Sequence, residues 1–344
     1  MDSSLVGRGA LSLRGLAVDP PLFNAPMAGL SHSAMRRLFL HFGGVGCFFT
    51  EMLAAKRLPS ENPNRSALVK RTDAESPLAY QLLAATPDEL LPAIKVAAGV
   101  GAEVIDINFG CPAPPIRRMG GGSKLMESAE AAALLFSSAR AATDLPLTAK
   151  VRLGETLDEG YLRDFVLMLE GCGADLITVH GRLRGEGYGR PPRWDWIGKV
   201  KSWVEIPVVG NGSIFSVDDG RRALEISGCD GLMVGRGAIT RPWLFSELAN
   251  GLYGKELSVK TPNLPDIYSK FAALLVESFK EHQRLIRLKA FTQYFSKNFP
   301  FGHNMAMRVG GAKSWDDAML RAEEFFKSAD PDFKGWGSME KSEG

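Results

Sequence analysis

The 344-residue chain has four cysteines, and no two of them form a C-x-x-C pair. Cys47, Cys111, Cys172 and Cys229 stand far apart, which speaks against a zinc ribbon or a dithiol redox centre. No apolar stretch reaches the length of a membrane span, and Met1 to Pro20 carries no apolar core of signal-peptide length. The expectation is a cytoplasmic protein with free thiols. Charge of one sign is also missing: 41 Lys and Arg stand against 39 Asp and Glu, a net charge of +2. Any patch that attracts a polyanion therefore has to be local. No G-x-G-x-x-G follows the first strand-like run, which lowers the case for a doubly wound dinucleotide-binding sheet. With 45% hydrophobic and 23% charged residues, the chain is of ordinary globular composition. It is long enough for one large domain and a smaller one.

What is present is a rhythm. After a short hairpin around Leu11 to Leu16, strand-like runs fall at Leu22–Ala28, Gly46–Glu51, Leu78–Leu82, Val104–Asn108, Leu147–Val151, Leu176–His180, Pro207–Gly210 and Gly231–Gly235. Most are unbroken apolar runs, as parallel strands buried on both faces require. Helical periods lie between them at Ser33–Phe42, Pro87–Gly99, Ser128–Ala142, Glu159–Gly171, Trp196–Trp203, Val217–Ile226 and Arg241–Ala249. Only Leu53 to Ser76 lacks such a period. Eight alternations over about 230 residues predict an α/β fold of the (β/α)8 TIM-barrel type. Beyond Gly251 the texture changes to a linker, Tyr253 to Pro265, and then to helical periods at Asp266–Leu285, Ile286–Asn298 and Ser314–Lys327. The expected organisation is a barrel over residues 1–251, a small all-helical domain over 262–329 and a loosely held tail over 330–344.

In such a barrel, chemistry gathers at the C-terminal ends of the strands. Those ends read Ala25-Pro26-Met27-Ala28, Thr50-Glu51-Met52, Gln81, Asn108-Phe109-Gly110-Cys111-Pro112, Lys150-Val151-Arg152, His180-Gly181-Arg182, Asn211-Gly212-Ser213 and Gly235-Arg236-Gly237. Singly, each has a bland explanation: Lys150 as a surface lysine, His180 as a satisfied core histidine, Cys111 as a buried structural thiol. Polar groups at six consecutive strand ends, the third to the eighth, are harder to dismiss. The two glycine-rich ends, after strands seven and eight, suit a phosphate, since their amides can approach an anion and a helix near Thr240 adds its positive end. Lys150 would then neutralise negative charge on a reduced flavin ring, and Gln81 would bond its polar edge. The role of the Cys111 thiol, as nucleophile, metal ligand or acid, stays open on these residues alone.

The ordered set of Ala25-Pro26-Met27, Thr50-Glu51-Met52, Asn108 to Pro112, Gly120-Gly121-Gly122-Ser123, Lys150-Val151-Arg152, Val179-His180-Gly181-Arg182 and Gly235-Arg236-Gly237 resembles the tRNA-dihydrouridine synthases over nearly the whole chain. Asn-Phe-Gly-Cys-Pro with its three glycines, together with Ile226-Ser227-Gly228-Cys229-Asp230, is most similar to the bacterial subgroup called DusC. The resemblance implies reduction of uridine to 5,6-dihydrouridine in the tRNA D-loop, at position 16. FMN would take a hydride from NADPH and pass it from N5 to C6, and Cys111 would give a proton to C5. Thiols, with a pKa of ~8.5, keep the proton that an acid needs at neutral pH. By the same resemblance Pro26, Met27, Ala28, Gln81, Lys150, His180, Asn211, Gly212, Ser213, Gly235 and Arg236 would hold FMN. Asn108 and Arg182 would lie near the uracil. Ser213 departs from the family, which carries an acidic or amide residue there.

A base inside folded RNA must be extruded at a cost of a few kcal/mol, so other contacts with the tRNA have to offset it. The candidates are Arg117 and Arg118 beyond Cys111, and Arg284, Arg287 and Lys289 in the helical region. Around them Phe291, Tyr294 and Phe295 lie at core spacing. From Pro262 to Lys327, ten Lys or Arg stand against seven Asp or Glu, so any positive character there is a face rather than a bulk property. The expected partner is tRNA, with no membrane, no metal and a monomeric protein. Two rival functions remain: a flavin reductase of small unsaturated molecules, and a tRNA-binding protein without catalysis.

Overall fold

The computed structural model describes residues 9–62, 66–258, 262–329, 332–333 and 335–336. A hairpin comes first, β1 (Leu11–Leu13) and β2 (Leu16–Val18), turning at Arg14 and Gly15 with φ of 48° and 86°. It buries Leu13 and Val18 among Phe23, Phe49, Val104, Leu176 and Val209, at the N-terminal mouth of a barrel. One end of the barrel is thereby plugged with apolar side chains, so a ligand enters from the other.

The barrel strands are β3 (Leu22–Asn24), β4 (Phe48–Phe49), β5 (Leu53–Ala54), β6 (Leu78–Leu83), β7 (Val104–Asn108), β8 (Leu147–Arg152), β9 (Leu176–His180), β10 (Val208–Asn211) and β11 (Gly231–Val234). All pair in parallel, in the order β3-β11-β10-β9-β8-β7-β6-β4, and a bridge from Phe23 to Cys47 closes the ring. The expected (β/α)8 barrel is therefore present. Its second strand differs from the sequence reading, because Gly46–Glu51 is not one run. β4 and β5 are separate pieces on β6, and between them the Thr50 hydroxyl accepts from the Gln81 amide at 3.1 Å. A side chain there takes over a ladder bond.

The surrounding helices are α1 (Ser33–Phe42), α2 (Pro87–Gly99), α3 (Pro114–Arg118), α4 (Ala129–Ala142), α5 (Glu159–Gly171), α6 (Trp194–Trp203), α7 (Val217–Ser227), α8 (Arg236–Thr240) and α9 (Leu244–Tyr253). The Ser216 side chain caps α7 by accepting from the Asp219 amide. Two boundaries move. The helix expected near Thr240 starts at Arg236, directly after β11, and ends before Pro242, which cannot continue it. The next helix runs on through Tyr253 into the expected linker and stops at Gly254, whose φ of 62° suits glycine.

The C-terminal region is helical: α10 (Leu264–Ser278), α11 (Glu281–Phe295), α12 (Gly302–Gly310) and α13 (Trp315–Ala329). Its core is aromatic, with Tyr268, Phe271, Phe291, Phe295 and Phe326 buried together. It packs on the barrel through α1 and α8. Asp266–Leu285 is not the single helix its period predicts. Phe279 is extended and turns its ring onto His32 of the barrel, 4.9 Å between centroids, so a tertiary contact breaks the helix. α12 was hidden in the sequence by the glycines at its two ends. Of the tail, residues 330, 331, 334 and 337–344 lie outside the described residues, while Phe333 and Trp336 pack on the aromatic core. No helix of the described residues is long and apolar enough to cross a membrane.

Candidate active site

At the C-terminal rim of the barrel opens a cavity of about 540 Å³. Its wall includes Pro26, Met27 and Ala28 after β3, Asn108 and Cys111 after β7, Lys150, His180 and Arg182, Asn211, Gly212 and Ser213 after β10, and Gly235 and Arg236 after β11. The predicted strand-end residues thus converge, because parallel strands in one ring deliver all their C-terminal ends to one side. Four side chains of the wall are cationic, namely Lys150, Arg152, Arg182 and Arg236, and none of its residues is Asp or Glu. Such a cavity favours an anion.

The wall near β10 and β11 is built of backbone. The amides of Gly212 and Gly235 have no hydrogen-bond partner among the described residues, and those of Arg236 and Gly237 open the first turn of α8. Side chains are excluded there. A Cβ on Gly212 would lie 2.6 Å from Pro192, and one on Gly237 2.0 Å from the Ile214 carbonyl oxygen. Open amides, the Arg236 guanidinium and a Cβ-free surface form a cradle for a phosphate group. The residues present fit a phosphate-bearing cofactor such as FMN.

Lys150 extends from β8 into the cavity, and its Nζ donates to Asn211 Oδ1 at 3.2 Å. The Asn211 amide is oriented by its Nδ2, which donates to the Met233 carbonyl at 2.7 Å. Burial, then the neighbouring Arg152, pulls the Lys150 pKa down to about 8. An anion beside it would raise that value again.

Cys111 lies across the ring, since β7 stands four places from β11 in an eight-place order. It is 8% exposed, and that exposure opens to the cavity. Its loop is held from several sides. Asn108 Oδ1 accepts from the backbone amides of Gly110 at 3.1 Å and Cys111 at 2.9 Å. The Ser123 amide donates to the Cys111 carbonyl at 3.0 Å, next to Gly122, where a Cβ would meet that carbonyl at 2.7 Å. Arg152 donates to the Gly110 carbonyl through Nε and to the Leu183 carbonyl through Nη1, tying the loop after β7 to the loop after β9.

His180 is kept neutral: burial first, then Lys150, Arg152, Arg182 and Arg236, hold its pKa far below the ordinary value. Arg182 Nη1 lies 3.1 Å from His180 Nε2. A guanidinium only donates, so Nε2 accepts and the ring proton sits on Nδ1. Arg182 also donates to the Arg190 and Tyr188 carbonyls and, at 2.7 Å, to the Ser213 hydroxyl. Ser213, the departure from the family pattern, thus serves as the acceptor for a buried arginine. Tyr188 covers this corner, with the Arg236 guanidinium 4.1 Å from its ring centroid.

Other predicted residues sit elsewhere. Gln81 is fully buried beneath the wall, its amide spent on Asp106 and Asn108. Arg117 is paired with Glu127 at 2.6 Å and braces the cysteine loop, whereas Arg118 is exposed. Arg284 lies over Trp315 near Glu281, Arg287 over Phe279, and Lys289 donates to the Ala312 carbonyl at 2.6 Å. All three are half-buried against these partners. Phe291 and Phe295 are core, but Tyr294 reaches the cavity wall. The site-residue reading left out Tyr294, Tyr188 and Arg152. Arg152 had a signal, its place in Lys150-Val151-Arg152; Tyr188 and Tyr294 had none, because only folding brings them to the rim. No metal-binding cluster of His, Cys, Asp or Glu occurs among the described residues.

The family described as Dihydrouridine synthase (Dus) matches the chain over residues 23–317. A probable tRNA-dihydrouridine synthase of Rickettsia conorii is 38% identical over 327 residues, covering 92% of this chain and 97% of its own. A probable tRNA-dihydrouridine synthase of Rhodobacter capsulatus is 36% identical, covering 78% and 82%. A tRNA-dihydrouridine(16) synthase of Pseudomonas syringae is 34% identical, covering 80% and 90%. Among solved structures, a 2-naphthoyl-CoA reductase superposes with a TM-score of 0.55 at 12% identity, covering 73% of this chain and 53% of its own. Histamine dehydrogenase from Rhizobium sp. 4-9 gives 0.54 at 15% identity, covering 70% and 47%. The chain spans about half the length of these two, and the likeness shows a common barrel fold.

Proposed function

Because the chain belongs to the dihydrouridine synthase family, we propose that it reduces uridine to 5,6-dihydrouridine in the D-loop of tRNA, with FMN as cofactor and NADPH as reductant. The observation that carries the reading is the cavity itself, with four cations, no carboxylate, and a thiol on the opposite side of the ring. Pro26, Met27, Ala28, Lys150, His180, Asn211, Gly212, Ser213, Gly235 and Arg236 would hold the flavin, its phosphate on the open amides and its ring beside Lys150. When bound, it supplies the hydride that ends on C6 of the uracil.

The chain's own part is a proton. Cys111 gives one to C5 and recovers it from water, so the C5–C6 double bond gains one hydride and one proton. Asn108 holds the thiol's loop through two backbone amides, and Arg152 ties that loop to the one after β9. His180, held neutral, offers a donor on Nδ1 without adding positive charge. The helical region, residues 262–329, would bind tRNA and complete the cavity with Tyr294. The relative from Pseudomonas syringae named for position 16 supports that position here.

The direct test maps dihydrouridine across tRNAs from cells lacking the protein. Loss at position 16 alone is expected, and an unchanged map would sink the reading. The purified Cys111→Ala protein should retain flavin and oxidise NADPH, yet form at least about 100-fold less dihydrouridine. Fast turnover of free uracil without RNA would instead favour a small-molecule reductase.

A further inference from the structure

A one-directional chain of hydrogen bonds runs beneath the cavity wall. Asp106 on β7 is fully buried. Its Oδ1 accepts from the Thr148 hydroxyl at 2.5 Å and its Oδ2 from Gln81 Nε2 at 2.7 Å. The Gly110 and Cys111 amides can only donate, so Asn108 gives them its oxygen and turns its nitrogen to Gln81, which leaves the nitrogen end of the Gln81 amide facing Asp106. Gln81 therefore turns its oxygen the other way, where it accepts from Asn108 Nδ2 at 2.8 Å. The two backbone amides occupy both acceptor directions of the Asn108 oxygen. One hydrogen-bonding group of Asn108 is left, the second Nδ2–H, on a side chain that forms part of the cavity wall.

We propose that Asp106, acting through Gln81, is a positioning residue that fixes Asn108 as a hydrogen-bond donor into the cavity, so that this wall takes a carbonyl oxygen of the reacting ring and refuses an exocyclic amino group. An unanchored asparagine presents either end of its amide, and the two ends differ little in shape. Here the polarity is anchored at one end by two backbone amides that only donate, and at the other end Asp106 receives the Gln81 nitrogen. Reversing it would set donor against donor or acceptor against acceptor at a buried contact, which costs far more than a hydrogen bond contributes. The identity of the ring as uracil rests on the proposed uridine reduction, whereas the direction of the chain does not.

The test reverses the relay. Asn108→Asp places a carboxylate at each end of Gln81, whose single N-bearing end can satisfy only one. The cofactor-stripped protein should lose about 5 °C in Tm. Adding Asp106→Asn lets residue 106 donate to the Gln81 oxygen, while Gln81 donates to the new carboxylate at 108. The double variant should recover at least half of the lost Tm even though each single variant is destabilised, a coupling that independent structural damage would not give. Its wall would now accept, so dihydrouridine formation should stay about 100-fold or more below the wild type. A double variant no more stable than Asn108→Asp would overturn the relay. One that is stable and reduces uridine at the wild-type rate would overturn the donor role. If the wild type made no dihydrouridine, the Tm arm would still decide the relay, and the failure would belong to the functional reading.

Discussion

Lys150 and Cys111 carry opposite demands at the scale of single residues. Lys150 is a cation enclosed by other cations, and its pKa of about 8 lies below the ordinary ~10.5. Between those values the unfolded chain holds a proton that the folded chain has shed. The stability of the cofactor-free protein therefore gains a contribution as pH climbs from 8 toward 10.5. Lys150→Met should remove that gain, about 3 °C in the difference between Tm-versus-pH curves of the two proteins. Flavin should suppress it, because an anion beside the ammonium keeps it charged. In the proposed reaction Cys111 needs a proton to give, and its loop shows which neighbours hold it in place. The Cys111→Ala outcome separates the proposed proton donor from everything that binds cofactor.

The loops after β9, β10 and β11 act as one element, because the loop after β10 is pressed against both of its neighbours. Gly237 lies against the Ile214 carbonyl, and Gly212 against Pro192 at a φ of 151° that L side chains rarely adopt. Gly212→Ala should push the loop after β10 away from Pro192 in the loop after β9, and Gly237→Ala should push the loops after β10 and β11 apart. Retained flavin per protein should fall about tenfold or more, measured by absorbance after desalting, while circular dichroism stays barrel-like. The relay under β7 shows the same principle with polar groups, where satisfaction of one buried amide dictates the next. Sequence pattern marked both elements as glycine-rich or amide-rich ends. It did not show that Gln81 belongs to the floor and not to the wall, since strand alternation fixes the face of a side chain but not its partners.

Electrostatics and docking belong to the whole molecule. A net charge of +2 conceals a cavity whose charged wall residues are all cations. The basic residues of the helical region divide in two. Arg284, Arg287 and Lys289 are spent on Trp315, Phe279 and the Ala312 carbonyl, whereas Lys297 is exposed, as is Arg118 beyond the cysteine loop. Lys289→Met should lower Tm by a few degrees and leave the salt dependence of tRNA binding unchanged. Arg118→Ala and Lys297→Ala should spare Tm and each reduce the slope of log K against log salt by about 1 or less. Equal effects from all three would show that inward and outward cations do not differ in function.

The sequence by itself determined the barrel, the position of most strand ends, and the family. Apolar runs buried on both faces have few alternatives, and parallel strands leave their C-terminal residues on one rim. It also marked Cys111, Lys150, His180 and the two glycine-rich turns, because those residue types stand at strand ends. Tertiary structure alone decided that Tyr188 and Tyr294 reach the cavity, that Phe279 breaks a helix to meet His32, and that Ser213 receives Arg182. It alone decided the direction of the Asp106–Gln81–Asn108 chain. Each of these is a contact between residues distant in sequence, whose energy comes from burial and from satisfying a buried polar group, and neither leaves a local period behind.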